Sequence, residues 1–494
     1  MATPIPQNRA SFTLDEIVRE TGGALITAAS LTPGDTLTGV STDSRAITEG
    51  AVFIALTGEI HDGHAHLEAA ARAGARLALI ERDLPAIPGL ALLRVSSTLT
   101  ALGDLARAHA RSFRALGGAR TLVAITGSAG KTTTRVAIAA LLDHLYPGEI
   151  HGAAGNLNNR IGVPMVLLGL GPQHRVGLIE MGMNQPGEIA ELCRIAEPEI
   201  GVVTLIAAAH TERVGSIEGV AAEKGALFRA LPPSGVAIGN GDDPRVRAEI
   251  AFSPASRHGL YGRAPDAQVR ILARTLDGLS RSQLEIGRRD RGELVFATPL
   301  LGEAGALASA AAIAVVELGL GEQLDASTCA EAFAKTDVGA GAGRLVPRLL
   351  PSGLALIDDS YNGNPASTCA SIKAAAEIAQ ATGRRLLLVL GEMLELGAES
   401  APGHDEVGRA VVQSGAAQVF AVRGDAARIA ARAAEGGVQG AFVETSADAA
   451  ALLMDIVRSS DLVLIKGSRG VGTERVVQAL TDTDPQRASR GAAA

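Results

Sequence analysis

Short apolar runs alternate with stretches of helical spacing along most of the chain. Residues 122–125 form one such run and predict a buried strand, and the apolar spacing of 136–145 predicts the helix that follows it. In the last third the same alternation recurs, with helical stretches after the runs 354–357, 386–390, 419–422, 441–443 and 462–465. Strands that alternate with helices predict an α/β fold with a mostly parallel sheet covered on both faces.

The stretch 268–300 has a different pattern, because short apolar and polar runs alternate around Asp277-Gly278. An Asp-Gly pair in such a setting is a strong hairpin signal, so this stretch predicts an antiparallel annex. A chain of 494 residues is too long for one core and suggests about three domains. Glycine-rich joints at 117–118 and 339–344 divide it into domains at 1–118, 119–345 and 346–480, with a disordered tail at 481–494.

Composition narrows the class of protein. Hydrophobic residues make up 47% and charged residues 20%, which is typical of a globular protein. A net charge of −8, 2% aromatic residues and no Trp argue against a nucleic-acid partner. The three cysteines stand far apart and indicate neither disulfides nor a thiolate metal site. Residues 1–11 lack a basic start followed by an apolar run, so we expect a soluble, cytoplasmic protein without membrane insertion.

A glycine-rich loop lies between the first strand and helix described above, and it reads Thr126-Gly127-Ser128-Ala129-Gly130-Lys131-Thr132-Thr133-Thr134. Glycines at 127 and 130 let successive N–H groups and the helix N-terminus point at one anion, and Lys131 adds a positive charge. The Thr132 hydroxyl is expected to hold Mg²⁺ against the β- and γ-phosphates of a nucleotide. A strict phosphate loop would have Gly in place of Ile125, and a simple glycine-rich turn is the alternative.

Further polar signals follow other predicted strands. Glu180 ends the run 176–179, and an acid at that edge of a parallel sheet is a candidate magnesium ligand. His210 follows another apolar run, where a ligand and a structural histidine are equally compatible with the pattern. The loop 155–159 is rich in Asn and is expected to contact a ligand. Lys224, on a predicted helix, is by itself an ordinary solvated charge.

Loops near both ends of the chain are also candidate binding sites. Ser41-Thr42-Asp43-Ser44-Arg45 could bind a uracil edge and a diphosphate, although turn capping explains the same residues. In the last domain, three polar loops follow predicted strands at the edge where a parallel sheet binds ligands. They are 358–365, 391–397 and 466–469.

Taken together and in order, these segments resemble the Mur ligases, and within that family the members that add D-alanyl-D-alanine. The resemblance rests on T-G-S-A-G-K-T, G-N-L-N-N-R-I-G-V-P, I-E-M-G, A-A-A-H, E-K-G-A-L-F, D-D-S-Y-N-G-N-P, G-E-M-L-E-L-G and K-G-S-R, which span residues 41–469. It implies an N-terminal domain for the UDP end of the substrate, a central ATPase domain and a C-terminal Rossmann-like domain. The implied reaction consumes ATP, UDP-MurNAc-tripeptide and D-Ala-D-Ala and gives UDP-MurNAc-pentapeptide, ADP and phosphate, a step of peptidoglycan synthesis on which cell shape and division depend.

The resemblance also implies roles for individual residues. Lys131 and Arg344 would act on the transferring phosphoryl group, Thr132 and Glu180 would hold one Mg²⁺, and His210 with a carbamylated Lys224 would hold a second. The residues implied to contact ATP are Gly127, Ser128, Ala129, Gly130, Lys131, Thr132, Thr133, Arg344 and Asp359. Those implied to contact the peptide substrates are Ser44, Arg45, Asn156, Asn158, Asn362, Ser468 and Arg469.

Two departures from the family pattern affect these expectations. The His-Asn pair and second Asn expected beside adenine are absent, and residues 302–308 read Gly-Glu-Ala-Gly-Ala-Leu-Ala. Glu392 stands where the family has Asp, one methylene shorter. Two alternative functions remain, a different acid–amine ligase such as one acting on folate and a nucleotide-driven switch that forms no bond. The sequence leaves open whether the third peptide residue is diaminopimelate or Lys, and a monomer is expected.

Overall fold

The computed structural model describes residues 6–58, 61–152, 155–208, 211–336 and 344–491, with side chains described as far as residue 484. Within these residues the chain forms three α/β units, each built on its own main sheet. The expected α/β class with three domains is confirmed.

The N-terminal unit contains a five-stranded sheet of order β2-β7-β6-β5-β4 and a small antiparallel pair, β1-β3. Within the larger sheet only β2 runs antiparallel to its neighbour. Its elements are Ser11–Thr13 (β1), Leu14–Thr21 (α1), Ala24–Thr27 (β2), Thr36–Thr38 (β3), Val40–Ser41 (β4), Val52–Ile54 (β5), Leu67–Arg72 (α2), Leu77–Ile80 (β6), Ala91–Arg94 (β7) and Thr98–Ala115 (α3).

The central unit is a nine-stranded sheet of order β16-β15-β14-β13-β12-β11-β8-β10-β9. The strands from β9 to β14 are parallel, and β14, β15 and β16 form the antiparallel annex. The predicted annex is therefore confirmed, and it continues the central sheet. The elements are Thr121–Thr126 (β8), Lys131–Leu145 (α4), Ile150–Gly152 (β9), Gly162–Leu168 (α5), Val176–Glu180 (β10), Glu188–Ala196 (α6), Ile200–Val203 (β11), Thr211–Val214 (α7), Ile217–Arg229 (α8), Val236–Asn240 (β12), Pro244–Ile250 (α9), Arg257–Gly262 (β13), Val269–Asp277 (β14), Arg281–Arg288 (β15), Gly292–Thr298 (β16), Gly302–Ala314 (α10) and Ala326–Ala334 (α11).

The C-terminal unit is a six-stranded sheet of order β17-β18-β22-β19-β20-β21, parallel except for β17. The five predicted strands are all present, and β17 is an additional edge strand. The elements are Val346–Leu349 (β17), Ala355–Asp359 (β18), Pro365–Thr382 (α12), Arg385–Gly391 (β19), Ser400–Gln413 (α13), Gln418–Val422 (β20), Ala427–Glu435 (α14), Gln439–Val443 (β21), Ser446–Ile456 (α15), Asp461–Lys466 (β22) and Glu474–Gly491 (α16).

The last helix extends into the stretch where we expected a disordered tail. Helix α16 continues to Gly491, so over 481–491 the expectation differs from the structure. Asp484 is 1% exposed and accepts hydrogen bonds from the backbone N–H and the hydroxyl of Ser352. This contact fixes the helix against the loop after β17, because a buried carboxylate needs such partners.

Two packing contacts set the arrangement of the three units. Helix α3 of the N-terminal unit packs on α5 and α6 of the central unit, and Leu102, Leu105, Val163, Leu167 and Leu192 belong to one hydrophobic core. The C-terminal unit has cores on both faces of its own sheet. Leu276, Leu279 and Leu301 of the central unit pack against one of them. The carboxyl edges of the two larger sheets therefore face each other across a cleft.

One helical stretch among the described residues, Gly302–Gly319, is long and apolar enough to cross a membrane. Within it, 72% of the residues are buried inside the protein, as in the core helix of a globular domain. It comprises α10 and a short π-helical turn, Val315–Gly319.

Candidate active site

A cavity of about 590 Å³ lies between the central and C-terminal units. Its walls are the glycine-rich loop after β8, the ends of β10 and β12, the first turn of α10 and the loops after β18, β19 and β22. Of the residues singled out from the sequence, it is lined by Ser128, Ala129, Gly130, Lys131, Thr133, Asn156, Asn158, Glu180, Lys224, Arg344, Asp359, Asn362, Ser468 and Arg469. Segments from 128 to 469 thus converge on one cleft.

The glycine-rich loop adopts a conformation that requires its glycines. Gly127 has φ +151°, and a Cβ there would lie 2.0 Å from the Thr204 hydroxyl oxygen. Gly130 precedes α4 with φ +83°, in the left-handed region that glycine enters at little cost. The first N–H groups of α4 therefore face the cavity, which is the geometry of an anion site.

Lys131 follows directly at the start of α4. Its Nζ donates to the carbonyl oxygen of Gly127 at 2.7 Å, which holds the side chain over the loop. Burial lowers the pKa of Lys131, the charge of Glu180 opposes that shift and the charge of Arg344 adds to it. The lysine is therefore placed where an incoming anion would stabilise its charged form.

Glu180 is the centre of a polar cluster beneath the loop. It is 4% exposed, and its two carboxylate oxygens accept from the Thr132 hydroxyl at 2.8 Å and from the Asn158 amide nitrogen at 3.0 Å. The Nε of Arg135 lies 3.7 Å from the same carboxylate. Adjacent ligands of an octahedral Mg²⁺ ion lie about 2.9 Å apart when each is about 2.0–2.1 Å from the ion. The Thr132 and Glu180 oxygens therefore fit one edge of a magnesium coordination shell.

Lys224, on α8, contrasts with the solvated charge that its local sequence suggests. It is 1% exposed and lines the cavity. Burial, and then the positive charge of Lys131, hold the pKa of Lys224 well below its usual range. The solvated interpretation is therefore wrong. His210, its expected partner, lies outside the described residues.

Asp359 ends β18 and is held by three donors. It accepts from Lys466 Nζ at 2.6 Å, from the Ser371 hydroxyl at 2.6 Å and from the backbone N–H of Leu345 at 3.0 Å. The bond to Leu345 fixes the chain next to Arg344. Asp359 therefore organises the C-terminal wall of the cavity as well as lining it.

Tyr361 joins two cationic side chains on that wall. The Arg344 guanidinium carbon lies 4.1 Å from the centre of the Tyr361 ring, and that of Arg469 lies 5.5 Å from it. Such contacts are attractive because the face of the ring is electronegative. Tyr361 lies in the D-D-S-Y-N motif, and no function was predicted for it from the sequence.

The first turn of α10 forms the other end of the cavity. Gly302 has φ +65°, and a Cβ at Gly305 would lie 2.4 Å from the carbonyl carbon of Leu300. Side chains at these two positions would therefore alter the turn. Asn240 and Tyr261, at the ends of β12 and β13, also line this end.

Several expected residues lie elsewhere. Ser44 and Arg45 are in the N-terminal unit outside this cavity, and the Arg45 guanidinium donates to Asp43 at 2.7 Å. Glu392 is directed toward the loop after β20, where its carboxylate accepts from the Asp425 N–H at 3.2 Å. Gly127 is not among the residues that line the cavity, but its backbone conformation shapes the loop whose next residues do.

Asn240, which was not predicted as a site residue, ends β12 and lines the cavity, as Glu180 does at the end of β10. Its place at the carboxyl end of a parallel strand is the signal that could have indicated it.

Comparison with known proteins gives three family matches and close relatives. Residues 36–110 match the Mur ligase family catalytic domain, 125–316 the Mur ligase middle domain and 343–469 the Mur ligase glutamate ligase domain. The UDP-N-acetylmuramoyl-tripeptide--D-alanyl-D-alanine ligase of Escherichia coli (strain K12) is 36% identical over 451 residues, which cover 90% of this chain and 94% of the relative. A crystal structure of MurF from Acinetobacter baumannii has a TM-score of 0.83 at 27% identity, covering 96% of this chain and 100% of that one. The MurF ligase from Thermotoga maritima in complex with ADP has a TM-score of 0.78 at 26% identity, covering 91% and 98%.

Proposed function

This chain belongs to the Mur ligase family, and on that premise we propose that it joins D-alanyl-D-alanine to UDP-MurNAc-tripeptide with hydrolysis of ATP to ADP and phosphate. It is an ATP-dependent ligase that forms a peptide bond. The observation that carries the choice of substrates is that the D-D-S-Y-N and K-G-S-R loops line the same cavity as the phosphate loop. Relatives that carry the proposed name match this chain over nine-tenths of its length.

The proposed reaction has two steps. A carboxylate oxygen of the tripeptide attacks the γ-phosphorus of ATP, the bond from that phosphorus to the bridging oxygen breaks, and ADP leaves with its electrons. The product is an acyl phosphate. The neutral amine of the dipeptide then attacks the acyl carbon, phosphate departs, and the nitrogen loses one proton as the amide forms.

The first step brings together two anions, the substrate carboxylate and the γ-phosphate of ATP. Positively charged residues of the cavity would reduce the repulsion between them. Lys131 lines the cavity from the central unit and Arg344 from the C-terminal side, and both would act on the γ-phosphoryl group. Fixed positive groups in a site that excludes water stabilise the charge that develops on a transferring phosphoryl group. Asp359 would hold the nucleotide from the C-terminal side, so docking of that domain completes the site and protects the acyl phosphate from water.

We also propose a magnesium requirement. Thr132 and Glu180 would hold the first ion, and a magnesium ion bound there would neutralise charge on the β- and γ-phosphates. A second site would use His210 and a carbamate on Lys224. Carbamylation needs a neutral amine, which adds carbon dioxide and releases one proton, and the buried position of Lys224 favours that neutral form.

Substrate contacts are proposed for both ends of the reaction. Ser44 and Arg45 would bind the UDP end in the N-terminal unit, and Asn156 and Asn158 would contact substrate or nucleotide beside Glu180. Asn362, Ser468 and Arg469 would receive the dipeptide. We further propose that the enzyme acts in the cytoplasm, where ATP is available, and as a monomer, since one chain supplies the described walls of the cavity.

Phosphate release provides the test. The purified protein is mixed with ATP, Mg²⁺, UDP-MurNAc-tripeptide and D-Ala-D-Ala, with each component omitted in turn. Release that requires both peptide substrates supports the proposal, and parallel tripeptides with diaminopimelate or Lys identify the third residue. Release without an acceptor amine would favour the nucleotide switch, and release only with a folate and glutamate would favour the other ligase.

A further inference from the structure

Five charged side chains meet where the annex and the first turn of α10 face helix α12. Arg263, Arg274 and Glu303 belong to the central unit, and Lys373 and Glu377 lie one helical turn apart on α12 of the C-terminal unit. We call these five residues the interdomain charge cluster. It lies beside the end of the cavity formed by α10, since Glu303 itself lines that cavity.

Arg274 is the member that connects the two units. Its side chain is 9% exposed, and its Nη2 lies 2.6 Å from the Glu377 carboxylate. Its Nε lies 3.8 Å from the Glu303 carboxylate and has no hydrogen-bond partner among the described residues. The rigid guanidinium can face two carboxylates at once, whereas a lysine ammonium is a single point of charge.

Glu303 is held in place independently of Arg274. Its two oxygens accept from Arg263 at 2.6 and 2.9 Å. Burial alone would raise the pKa of Glu303, but the hydrogen bond and charge of Arg263 and the charges of Arg274 and Lys373 lower it. Without Arg274, Glu377 would therefore face a fixed carboxylate instead of a fixed cation.

The neighbouring contacts between the units are apolar or steric. Leu276, Leu279 and Leu301 pack against the C-terminal core, and a Cβ at Gly302 would lie 2.8 Å from the Cβ of Ala374. Apolar contacts bury surface without fixing one orientation, while a charge pair at hydrogen-bond distance is directional.

We propose that Arg274 is a positioning residue, which holds the C-terminal unit in the docked orientation that brings Arg344 and Asp359 to the phosphate loop. At the opposite side of the same cleft, the Asn364 amide donates to the Ser128 carbonyl at 3.1 Å. The Arg274–Glu377 pair is thus one of three polar contacts between these units among the described residues. The third is the hydrogen bond from the Thr211 hydroxyl to the Leu396 carbonyl at 2.8 Å, and Arg274–Glu377 is the ion pair of the three. The expected effect on kcat rests on the proposed ligase function, whereas the docked orientation of the C-terminal unit does not.

The kinetic test is a double-mutant cycle with Arg274→Gln and Glu377→Gln. Each single change is expected to lower kcat for phosphate release about tenfold, between the effect of an exposed pair and that of a fully buried one. The double variant is expected to be no slower than either single variant, because one interaction has been removed in each case. Arg274→Lys is expected to recover part of the loss. Effects that multiply in the double variant would overturn the proposal.

A structural readout separates this proposal from the proposed function. Small-angle scattering with an ATP analogue and Mg²⁺ is expected to give a larger radius of gyration for Arg274→Gln and Glu377→Gln than for the unmodified protein. Salt near 1 M is expected to expand the unmodified protein less than either substitution does, because a pair whose arginine is only 9% exposed is screened less than an exposed pair. Identical radii for all three proteins at low and high salt would contradict the positioning role of Arg274 even if the ligase activity were present.

The matched control is Arg428→Gln. Arg428 pairs with Asp405 at 2.6 Å, but both residues lie within the C-terminal unit. Its kcat and radius of gyration are expected to match those of the unmodified protein.

Melting temperatures of the Arg274 and Glu377 variants are expected to stay within about 3 °C of the unmodified protein, because each unit retains its own core. Equal losses of kcat in the Arg428 and Arg274 variants would overturn the proposal.

Discussion

Lys131 is positioned by the backbone around it more than by partners of its side chain. The left-handed Gly130 turns the chain into α4, and the close approach of Gly127 to Thr204 leaves no room for a Cβ. The left-handed Gly130 is a local backbone requirement, whereas the approach of Gly127 to Thr204 depends on a distant segment. The loop could nevertheless be predicted, because the spacing of its glycines and Lys131 is itself a local pattern. Glu180 was found in the same way, because the end of a parallel strand faces the ligand edge.

Lys131→Ala is expected to abolish phosphate release while leaving the fold intact. The lysine lines a cavity and its described hydrogen bond goes to a single carbonyl, so its removal leaves the core unchanged. Turnover is measured by phosphate release and folding by circular dichroism. The unmodified enzyme should form ADP, and AMP with pyrophosphate as products would contradict the proposed phosphoryl transfer.

Lys224→Ala is expected to lose most activity and to regain part of it with short carboxylic acids. A carboxylate that enters the vacated space would replace the oxygen ligands of the proposed carbamate. Activity is measured with and without added acetate or propionate, in buffers with and without carbon dioxide. Near-normal turnover of Lys224→Ala or Lys224→Arg without carbon dioxide would show that the carbamate has no function in catalysis.

Other residues could not be predicted because their positions depend on distant parts of the chain. Arg274 and Glu377 are 103 residues apart in sequence, and nothing in either local pattern indicates a contact. The burial of Lys224 was equally hidden, since its helix has an ordinary mixed pattern and only the tertiary fold closes the cavity over it. Sequence pattern therefore specified residues at strand ends better than residues on helix faces.

Among the elements, the first turn of α10 departs from the expected family pattern. Residues 302–308 read Gly-Glu-Ala-Gly-Ala-Leu-Ala where a His-Asn pair and a second Asn were expected, while the strands of both larger sheets follow the predicted alternation. Strands with continuous apolar runs were predicted well because they are buried on both faces. Edge strand β17 was missed because only its first residue is buried. The continuation of α16 was missed because polar residues dominate its end.

We expect GTP to be accepted better than by relatives that have the His-Asn pair. Because residues 304–306 of α10 are Ala, Gly and Ala, recognition of the base would rest on backbone groups, on apolar contact and on any hydrogen bond from Asn240. Apolar contact discriminates weakly between bases. The measurement is kcat/KM for ATP and GTP, with discrimination below about a hundredfold expected. If GTP were several thousandfold poorer, other side chains would have taken over adenine recognition.

At the scale of the whole molecule, function depends on how closely two units approach. Gly302 lines the cavity at the first turn of α10 and also faces α12, since a Cβ there would lie 2.8 Å from the Cβ of Ala374. Any side chain there would push the C-terminal unit away from the phosphate loop.

Gly302→Ala is therefore expected to lower kcat severalfold. The new Cβ would lie 2.8 Å from that of Ala374, and the left-handed φ of +65° adds strain of about 1 kcal/mol for a residue with a side chain. Adding Ala374→Gly should relieve the clash but leave the strain, so the double variant should recover only part of the activity. If Ala374→Gly gave no recovery, backbone strain alone would account for the effect.

The core shared by the N-terminal and central units has a consequence for how the protein is made. Helix α3 is complete by residue 115, but the surfaces that cover it, α5 and α6, lie at 162–168 and 188–196. As the chain leaves the ribosome, the face of α3 that α5 and α6 cover therefore stays exposed until some 80 more residues have been synthesised. That takes several seconds at about 5–20 residues per second. During that interval the nascent chain presents a surface that chaperones bind, whereas the C-terminal unit, with cores of its own, can fold as soon as it emerges.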